Sequence, residues 1–376
     1  LFKNQVPGSC GGGTVLYVTR ESHYYLPEIE TREEGGTPPI TESIRAGLVL
    51  NLKRMIGENL IEEKENHFCR LAFDAFKTNN NIIILGSHTA HRLPIFSLLV
   101  KHGRTGKLLH HNFVARLLND LYGLQVRGGC ACAGPYATDL LSIPEDAAQR
   151  YAWILTHGLP KKGLASLGAD PHGFSQSSQI TEHYWELVKP GFVRLNLAYF
   201  LDEPTVRYIL YAVNIVASHG WRLLPLYQAV ASSGEWFHRK WEPKWYSLHD
   251  LRFDPKIKAF RNYGKGCLSS GNTISLKQME EDATKTLQNA QHLSKAVGPI
   301  NDLEDLKVTA SQSEVFWFLL PGKAQEQINS EPKPSNRRGF NDFLRASFAN
   351  LRCSSQSKVN AFNVFTDSVM EEPKSD

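Results

Sequence analysis

Residues 126–136 read Val-Arg-Gly-Gly-Cys-Ala-Cys-Ala-Gly-Pro-Tyr and follow a short apolar stretch. The pattern predicts a strand from Leu124 to Val126 that ends in a glycine-rich turn. The turn presents the guanidinium of Arg127 beside the thiols of Cys130 and Cys132. Because a nearby cation favours the thiolate form, these cysteines are candidates for reactive groups. The alternative is a pair of small apolar residues packed in a tight turn.

Helices and strands alternate on both sides of this stretch. Apolar residues at helical spacing predict helices at 40–60, with Thr41 as N-cap, and at 61–78, 112–122, 145–156, 178–188 and 203–218. Runs rich in branched residues predict strands at 15–18, 81–85, 95–100 and 192–199. This order predicts an α+β unit with helices packed on one side of a small sheet.

Arg194 lies in the middle of the predicted strand 192–199. A strand of this kind has one buried face, and a charge there needs a partner. That partner is either a structural carboxylate or the carboxylate of a substrate, held by two parallel hydrogen bonds. The residues alone leave both alternatives open.

Two glycine-containing loops lie near the beginning of the chain. Gly11 to Gly13 lacks the lysine of a P-loop and the spacing of a dinucleotide fingerprint, so it predicts a turn entering a strand. Gly36-Thr37-Pro38 offers a hydroxyl and a free amide before a helix, where an anion could be held. A plain helix cap explains the second loop equally well.

The composition excludes several classes of protein. A net charge of +4 over 376 residues is too small for bulk nucleic-acid binding or membrane adsorption. No apolar run approaches the roughly 20 residues that span a bilayer. Six unevenly spaced cysteines make no disulfide framework and indicate a reducing compartment. His88 with His91, or His110 with His111, could join the two close cysteines as metal ligands, but no four-ligand zinc spacing is present.

The chain changes in character after Trp221. Residues 236–265 are rich in aromatics and carry eight Lys or Arg against three acidic residues. Such a stretch could stack nucleic-acid bases, or it could form a small β-rich subdomain or docking surface with buried aromatics. Residues 277–295 predict a polar helix and 315–320 an apolar strand. A linker is predicted at 325–338 and a disordered tail over about the last twenty residues.

Five segments, taken in order, resemble class V aminotransferases and group II cysteine desulfurases. They are the blocks at 7–13, 32–38, 43–48, 126–136 and 189–197, and the resemblance covers roughly residues 1–220. It implies an α/β fold, the C-terminal portion of a fold type I pyridoxal-phosphate transferase with a C-terminal extension. It also implies four regions: the end of the large cofactor domain at 1–60, an α+β small domain at 61–220, an aromatic and basic extension at 221–325, and a linker with a tail at 326–376.

The resemblance also implies roles for single residues. Thr37 matches the residue that reaches the pyridoxal 5'-phosphate of the neighbouring subunit in a homodimer. Arg194 matches the arginine that binds the α-carboxylate of an amino-acid substrate, and Arg127 is expected to assist it. Cys132 matches the cysteine that accepts sulfur as a persulfide. No metal is expected.

The family's His-Lys pair, which bonds the cofactor, does not precede Gly11 in this sequence. We therefore expect either a fragment of an enzyme that desulfurates cysteine or transfers an amino group, or a non-catalytic protein that pairs with a full-length homologue or another protein. A nucleic-acid-binding module is the least favoured hypothesis. A cytoplasmic location is expected, with a mitochondrial one left open.

Overall fold

The structure is a computed structural model, and it describes residues 3–9, 11–129, 134–159, 185–240, 251–254, 259–262 and 275–331. By its contacts the chain divides into two compact units, Leu1–Lys64 and Glu65–Asp376. The mixture of helices and sheets confirms the prediction of a mixed helix-and-sheet fold, and the described sheets are antiparallel, as expected for the α+β unit. The division at residues 60, 220 and 325 stays a prediction.

The first unit contains a β-hairpin and two helices. Strands β1 (Val15–Val18) and β2 (His23–Tyr25) pair antiparallel, and helices α1 (Ile29–Glu33) and α2 (Ile40–Ile56) follow. Among the described residues of this unit only Thr14 and Arg32 are buried. Its apolar side chains are instead exposed, including Leu16, Tyr17, Ile40, Ile44, Leu48, Val49, Leu52 and Met55.

The cap of α2 differs from the prediction. Pro39, not Thr41, is the N-cap residue, and no side chain caps the helix. A proline before the first turn fixes its own φ angle near the helical value and so starts the helix without a polar cap. The helix ends at Gly57, whose φ of 91° is a conformation that side-chain-bearing residues rarely adopt.

A four-stranded antiparallel sheet forms the centre of the second unit. Its order is β3 (Ile82–Ile84), β4 (Ile95–Val100), β6 (Phe192–Asn196) and β5 (Arg127–Gly129). Successive strand residues face opposite sides, and the side chains that face the helices are buried. These are Phe96, Leu98, Val100, Val193 and Leu195.

Three helices cover that face of the sheet. They are α3 (Glu58–Phe76), which also crosses the division between the units, α4 (His111–Tyr122) and α7 (Glu203–His219). α4 ends at Gly123 in the left-handed conformation, and α7 begins at Asp202, whose carboxylate accepts from the Thr205 amide. Both ends follow ordinary capping chemistry. Two further helices are α5 (Gly134–Leu140) and α6 (Glu145–His157).

The described residues after Trp221 contribute to the same core. Trp236, Leu287, Phe318 and Ile328 are buried in one cluster with Phe113 of α4. The elements here are β7 (Tyr227–Ala229) paired with β8 (Trp236–His238), β9 (Leu251–Asp254) paired with β10 (Ala259–Asn262), α8 (Leu276–Gln288), α9 (Ala290–Ala296), α10 (Asp302–Asp305) and α11 (Pro321–Ser330).

Several predicted elements are wrong in detail. The strand expected at 124–126 is found at Arg127–Gly129, because the Leu124 amide still donates to Leu118 to close α4. Residues 315–320 form no strand; a 3-10 turn and one bridge at Phe318 replace it. The linker expected from residue 325 begins inside α11. Most of the helix expected at 178–188 and the predicted tail lie outside the described residues.

Candidate functional site

Two arginines face each other across the last pair of strands in the sheet. In the antiparallel register of β5 and β6, Arg127 lies directly opposite Arg194, and both side chains are exposed. Opposite residues in such a pair have Cβ atoms about 4.5–5.5 Å apart. The sheet therefore presents two guanidinium groups side by side, and we call Arg127 and Arg194 the arginine pair.

The arginine pair lies on the face of the sheet opposite the one that packs on α4 and α7. Ser97 of β4 is the register partner of Arg194 on the other side, so one row across three strands contains a hydroxyl and two guanidiniums. Asn196, two residues along β6, is also exposed. This row is polar on a sheet whose other face is buried and apolar.

The arginine pair has no partner within the part of the chain that the structure describes. Neither the Arg127 nor the Arg194 side chain takes part in a hydrogen bond or an ion pair there, and the structural carboxylate considered for Arg194 is not found among those residues. Like charges directly opposite each other destabilise a sheet. Two unpaired cations in this position are therefore suited to an anion such as a carboxylate, which a guanidinium binds with two parallel hydrogen bonds.

A histidine at the start of α4 supports the strand that carries Arg127. The His111 ring occupies the space beside Gly191 and Gly128: a Cβ added at Gly191 would lie 2.8 Å from its Cε1, and one at Gly128 would lie 3.2 Å from its Cδ2. A Cβ at Gly128 would also lie 2.4 Å from Asn112 Oδ1. Only glycine fits at these positions, so the backbones of β5 and the loop before β6 lie directly on α4.

The preceding histidine caps the same helix. His110 Nδ1 accepts from the Asn112 amide at 3.1 Å, so its Nε2 carries the hydrogen and donates to the Leu187 carbonyl at 3.0 Å. Burial holds the pKa of His110 well below its usual value, and burial with nearby Lys189 lowers that of His111 to about 4. Both rings are neutral at pH 7. From the sequence, both histidines were considered only as metal ligands. A polar residue at the start of a helical pattern also indicates an N-cap, and this is the role of His110.

Two other predicted site residues cannot be placed beside the arginine pair. Cys132, together with Cys130, lies outside the described residues. Thr37 is exposed in the turn before α2, next to Gly36, whose amide donates to the Gly12 carbonyl at 2.8 Å. Thr37 belongs to the first unit and the arginine pair to the second.

Metal and nucleic-acid sites receive no support from the described residues. No group of three His, Cys, Asp or Glu residues with metal-binding geometry occurs among them. In the basic aromatic stretch Trp236 is buried and Phe253 is 55% exposed, and much of the rest lies outside the described part. No described helix has the length and apolar character to cross a membrane.

The described residues do not complete a pyridoxal-phosphate site. The cofactor needs a lysine amine within reach of the substrate. The described strands of the four-stranded sheet contain no lysine, and nearby Lys189 is bonded to Glu186 at 3.2 Å. The arginine pair fits an anionic substrate, whereas these strands provide no amine to hold the cofactor.

Comparison with known proteins supports the family prediction for the first part of the chain. Residues 2–143 match the family model described as aminotransferase class-V. An apo cysteine desulfurase from Thermococcus onnurineus NA1 is similar in structure, with 19% identity and a TM-score of 0.38, over 56% of this chain and 39% of that chain. The chain thus spans well under half of that enzyme. No curated protein matches the sequence.

Proposed function

We propose that this chain contributes the substrate-carboxylate site of a pyridoxal-phosphate-dependent enzyme that acts on an amino acid. The arginine pair is the observation that carries the proposal, and the class V match over residues 2–143 supports it. The reaction is either desulfuration of cysteine or transfer of an amino group. The cofactor's lysine would come from outside the residues described above.

In this proposal the arginine pair holds the α-carboxylate and so fixes the direction of the substrate's Cα. Arg194 provides the two parallel hydrogen bonds to the carboxylate. Arg127, on the neighbouring strand, stabilises the bound anion by its positive charge. Ser97, on the other side of Arg194, can donate one further hydrogen bond. Because all amino acids share the carboxylate, the pair orients the substrate without selecting its side chain.

Two further roles follow from the family resemblance. Cys132 would accept sulfur when the Cβ–S bond of cysteine breaks, which leaves alanine and a persulfide. Thr37 would contact the cofactor phosphate of the neighbouring subunit in a homodimer. The protein would act in the cytoplasm.

Titration calorimetry on the full chain with added cofactor tests the carboxylate site. Alanine should bind, whereas ethylamine, which has the amine without the carboxylate, should not. Arg194→Gln and Arg127→Gln should each weaken alanine binding by about tenfold or more, equivalent to about 1.4 kcal/mol. Arg150→Gln on α6 removes a surface cation paired with Asp146 and serves as the control. Equal binding of alanine and ethylamine would refute the proposal.

The products decide between the two reactions. Desulfuration converts cysteine to alanine and leaves a persulfide, from which an added thiol reductant releases sulfide, and Cys132→Ala should abolish it. Amino transfer yields a 2-oxo acid instead and should survive the same substitution. Release of sulfide by the Cys132→Ala variant at the wild-type rate would remove the role proposed for this thiol.

An alternative is a non-catalytic protein that pairs with a full-length homologue or another protein. The exposed apolar side chains of α2 favour it, since Ile44, Leu48 and Met55 are 59%, 63% and 82% exposed. Surfaces of this kind commonly mark interaction sites. Light scattering of the chain alone and mixed with an active homologue tests this alternative. A stable monomer in both samples would eliminate it.

A further inference from the structure

A second polar site lies in the second unit, within a cavity of about 210 Å³ lined by Asn81, His102, Gly103, Arg104, Ser218, His219, Trp221 and Arg222. Its volume exceeds that of the roughly 150 Å³ engineered cavity that holds benzene. The lining residues come from Asn81 before β3, the loop after β4, the end of α7 and the 3-10 turn that follows α7. None of them belongs to the arginine pair.

Two cations in this cavity share one carboxylate. Glu331 accepts from Arg222 at 2.6 and 3.0 Å and from Arg104 at 2.5 Å. Both guanidiniums lie over the ring of Trp221, with 5.5 Å to its centroid for Arg104 and 5.2 Å for Arg222. None of the described residues that line the cavity is acidic, and Glu331 is the carboxylate that the two guanidiniums share. The group of Arg104, Arg222 and Glu331 therefore retains one positive charge.

Two buried nitrogen atoms of residues that line the cavity have no hydrogen-bond partner among the described residues. They are Nε of Arg222 and Nε2 of His102, a residue that is 1% exposed. His102 Nδ1 lies 2.8 Å from Thr105 Oγ1, so the ring is held in place from one side only. When the threonine hydroxyl donates to Nδ1, Nε2 carries a hydrogen. Buried polar atoms without partners are rare in folded proteins.

These features require a ligand with a negative group and several acceptor atoms. An oxyanion meets both conditions, because it balances the remaining charge and accepts from guanidinium and imidazole nitrogens at once. Trp221 provides an apolar wall beside the donors. We propose that this cavity binds the phosphate or carboxylate group of a small organic molecule.

Calorimetric titration of the full chain carrying Arg194→Gln, which disables the arginine pair, with inorganic phosphate, with acetate and with chloride at matched ionic strength tests the proposal. Saturable binding of phosphate identifies a phosphate ester as the ligand class, and saturable binding of acetate alone identifies a carboxylate. Chloride should show no saturable heat. Heats that are non-saturable for all three ions would overturn the proposal.

Substitutions locate the binding. The Arg104 side chain is 54% exposed, so Arg104→Gln should fold and should weaken oxyanion binding by about tenfold. Arg222→Lys keeps the charge but removes the planar fork, and should weaken binding by a smaller factor. Arg150→Gln leaves the cavity unchanged and, added to the same Arg194→Gln background, should bind phosphate as its parent does. If Arg194→Gln alone lost binding, the anion would occupy the arginine pair instead and this proposal would be wrong.

Discussion

Replacement of Arg194 by glutamine separates a binding role from a structural one. In the structure Arg194 faces Arg127 across two strands, exposed and with no partner in the described part of the chain. Two unit charges about 6 Å apart in water repel each other by about 0.7 kcal/mol. Arg194→Gln removes that repulsion. It breaks no side-chain hydrogen bond to a described residue. We therefore expect the free energy of unfolding to rise by a few tenths to about 0.7 kcal/mol.

Urea denaturation followed by circular dichroism measures this change at low salt and in about 1 M NaCl. Because the screening length falls to about 3 Å at 1 M, the gain should disappear in high salt. The double substitution with Arg127→Gln should add no further gain, because the first substitution already removes the repulsion.

A half-buried and bonded arginine provides the control. Arg239 donates to Asp305 at 2.7 Å and to the Pro225 carbonyl at 3.1 Å, and its side chain is 19% exposed. Arg239→Gln should lower the free energy of unfolding by about 1 kcal/mol or more, since hydrogen bonds to charged groups are among the stronger ones. If Arg194→Gln cost as much as Arg239→Gln, Arg194 would have a structural partner and the binding role would lose its basis.

Three further outcomes follow from the packing of the second unit. Gly191→Ala places a Cβ 2.7 Å from the Gly129 carbonyl carbon and should lower the free energy of unfolding, measured by urea denaturation, by about 1–3 kcal/mol. Gly134→Ala is the control: a Cβ there meets no atom within 4 Å, so the free energy of unfolding should not change measurably. Tyr208→Phe removes a 2.8 Å hydrogen bond from its hydroxyl to the Tyr122 carbonyl and should lower the free energy of unfolding by about 1 kcal/mol. Tyr122→Phe removes a buried hydroxyl that has no partner among the described residues and should leave the stability unchanged. Equal losses for the two variants would contradict this expectation. His111 has a pKa of about 4 in the fold, so the unfolded chain binds more protons than the folded chain between pH 6.5 and 4. The stability should therefore fall as the pH decreases through that window. An NMR titration in which the His111 ring of the folded protein protonates near pH 6.5 would refute this prediction.

The sequence predicted most of the sheet because its strands have strong local signals. Ile95–Val100 was predicted with its observed bounds, and the strand around Arg194 differs only at its end. β5 was displaced by three residues, because Arg-Gly-Gly has low strand propensity and forms a strand only through its pairing with β6. The extended form of this segment is imposed by tertiary contacts with α4 that local patterns do not contain.

The candidate site was predicted in part. Arg194 and Arg127 were each selected from the sequence, yet their direct pairing depends on strand register across about 65 residues of chain and could not be derived from spacing. The cavity around Trp221 gave no signal, since its residues come from separate segments. Cys132 and the relation of Thr37 to the arginine pair stay predictions.

The close packing of β5 on α4 limits how this protein can diverge in evolution. The His111 ring and the Asn112 amide fill the volume where side chains at positions 128 and 191 would lie. A larger residue at position 128 becomes tolerable if Asn112 becomes smaller at the same time, whereas a Cβ at position 191 would also lie 2.7 Å from the Gly129 backbone, which no side-chain change relieves. Positions 112 and 128 should therefore covary among relatives, and position 191 should remain glycine.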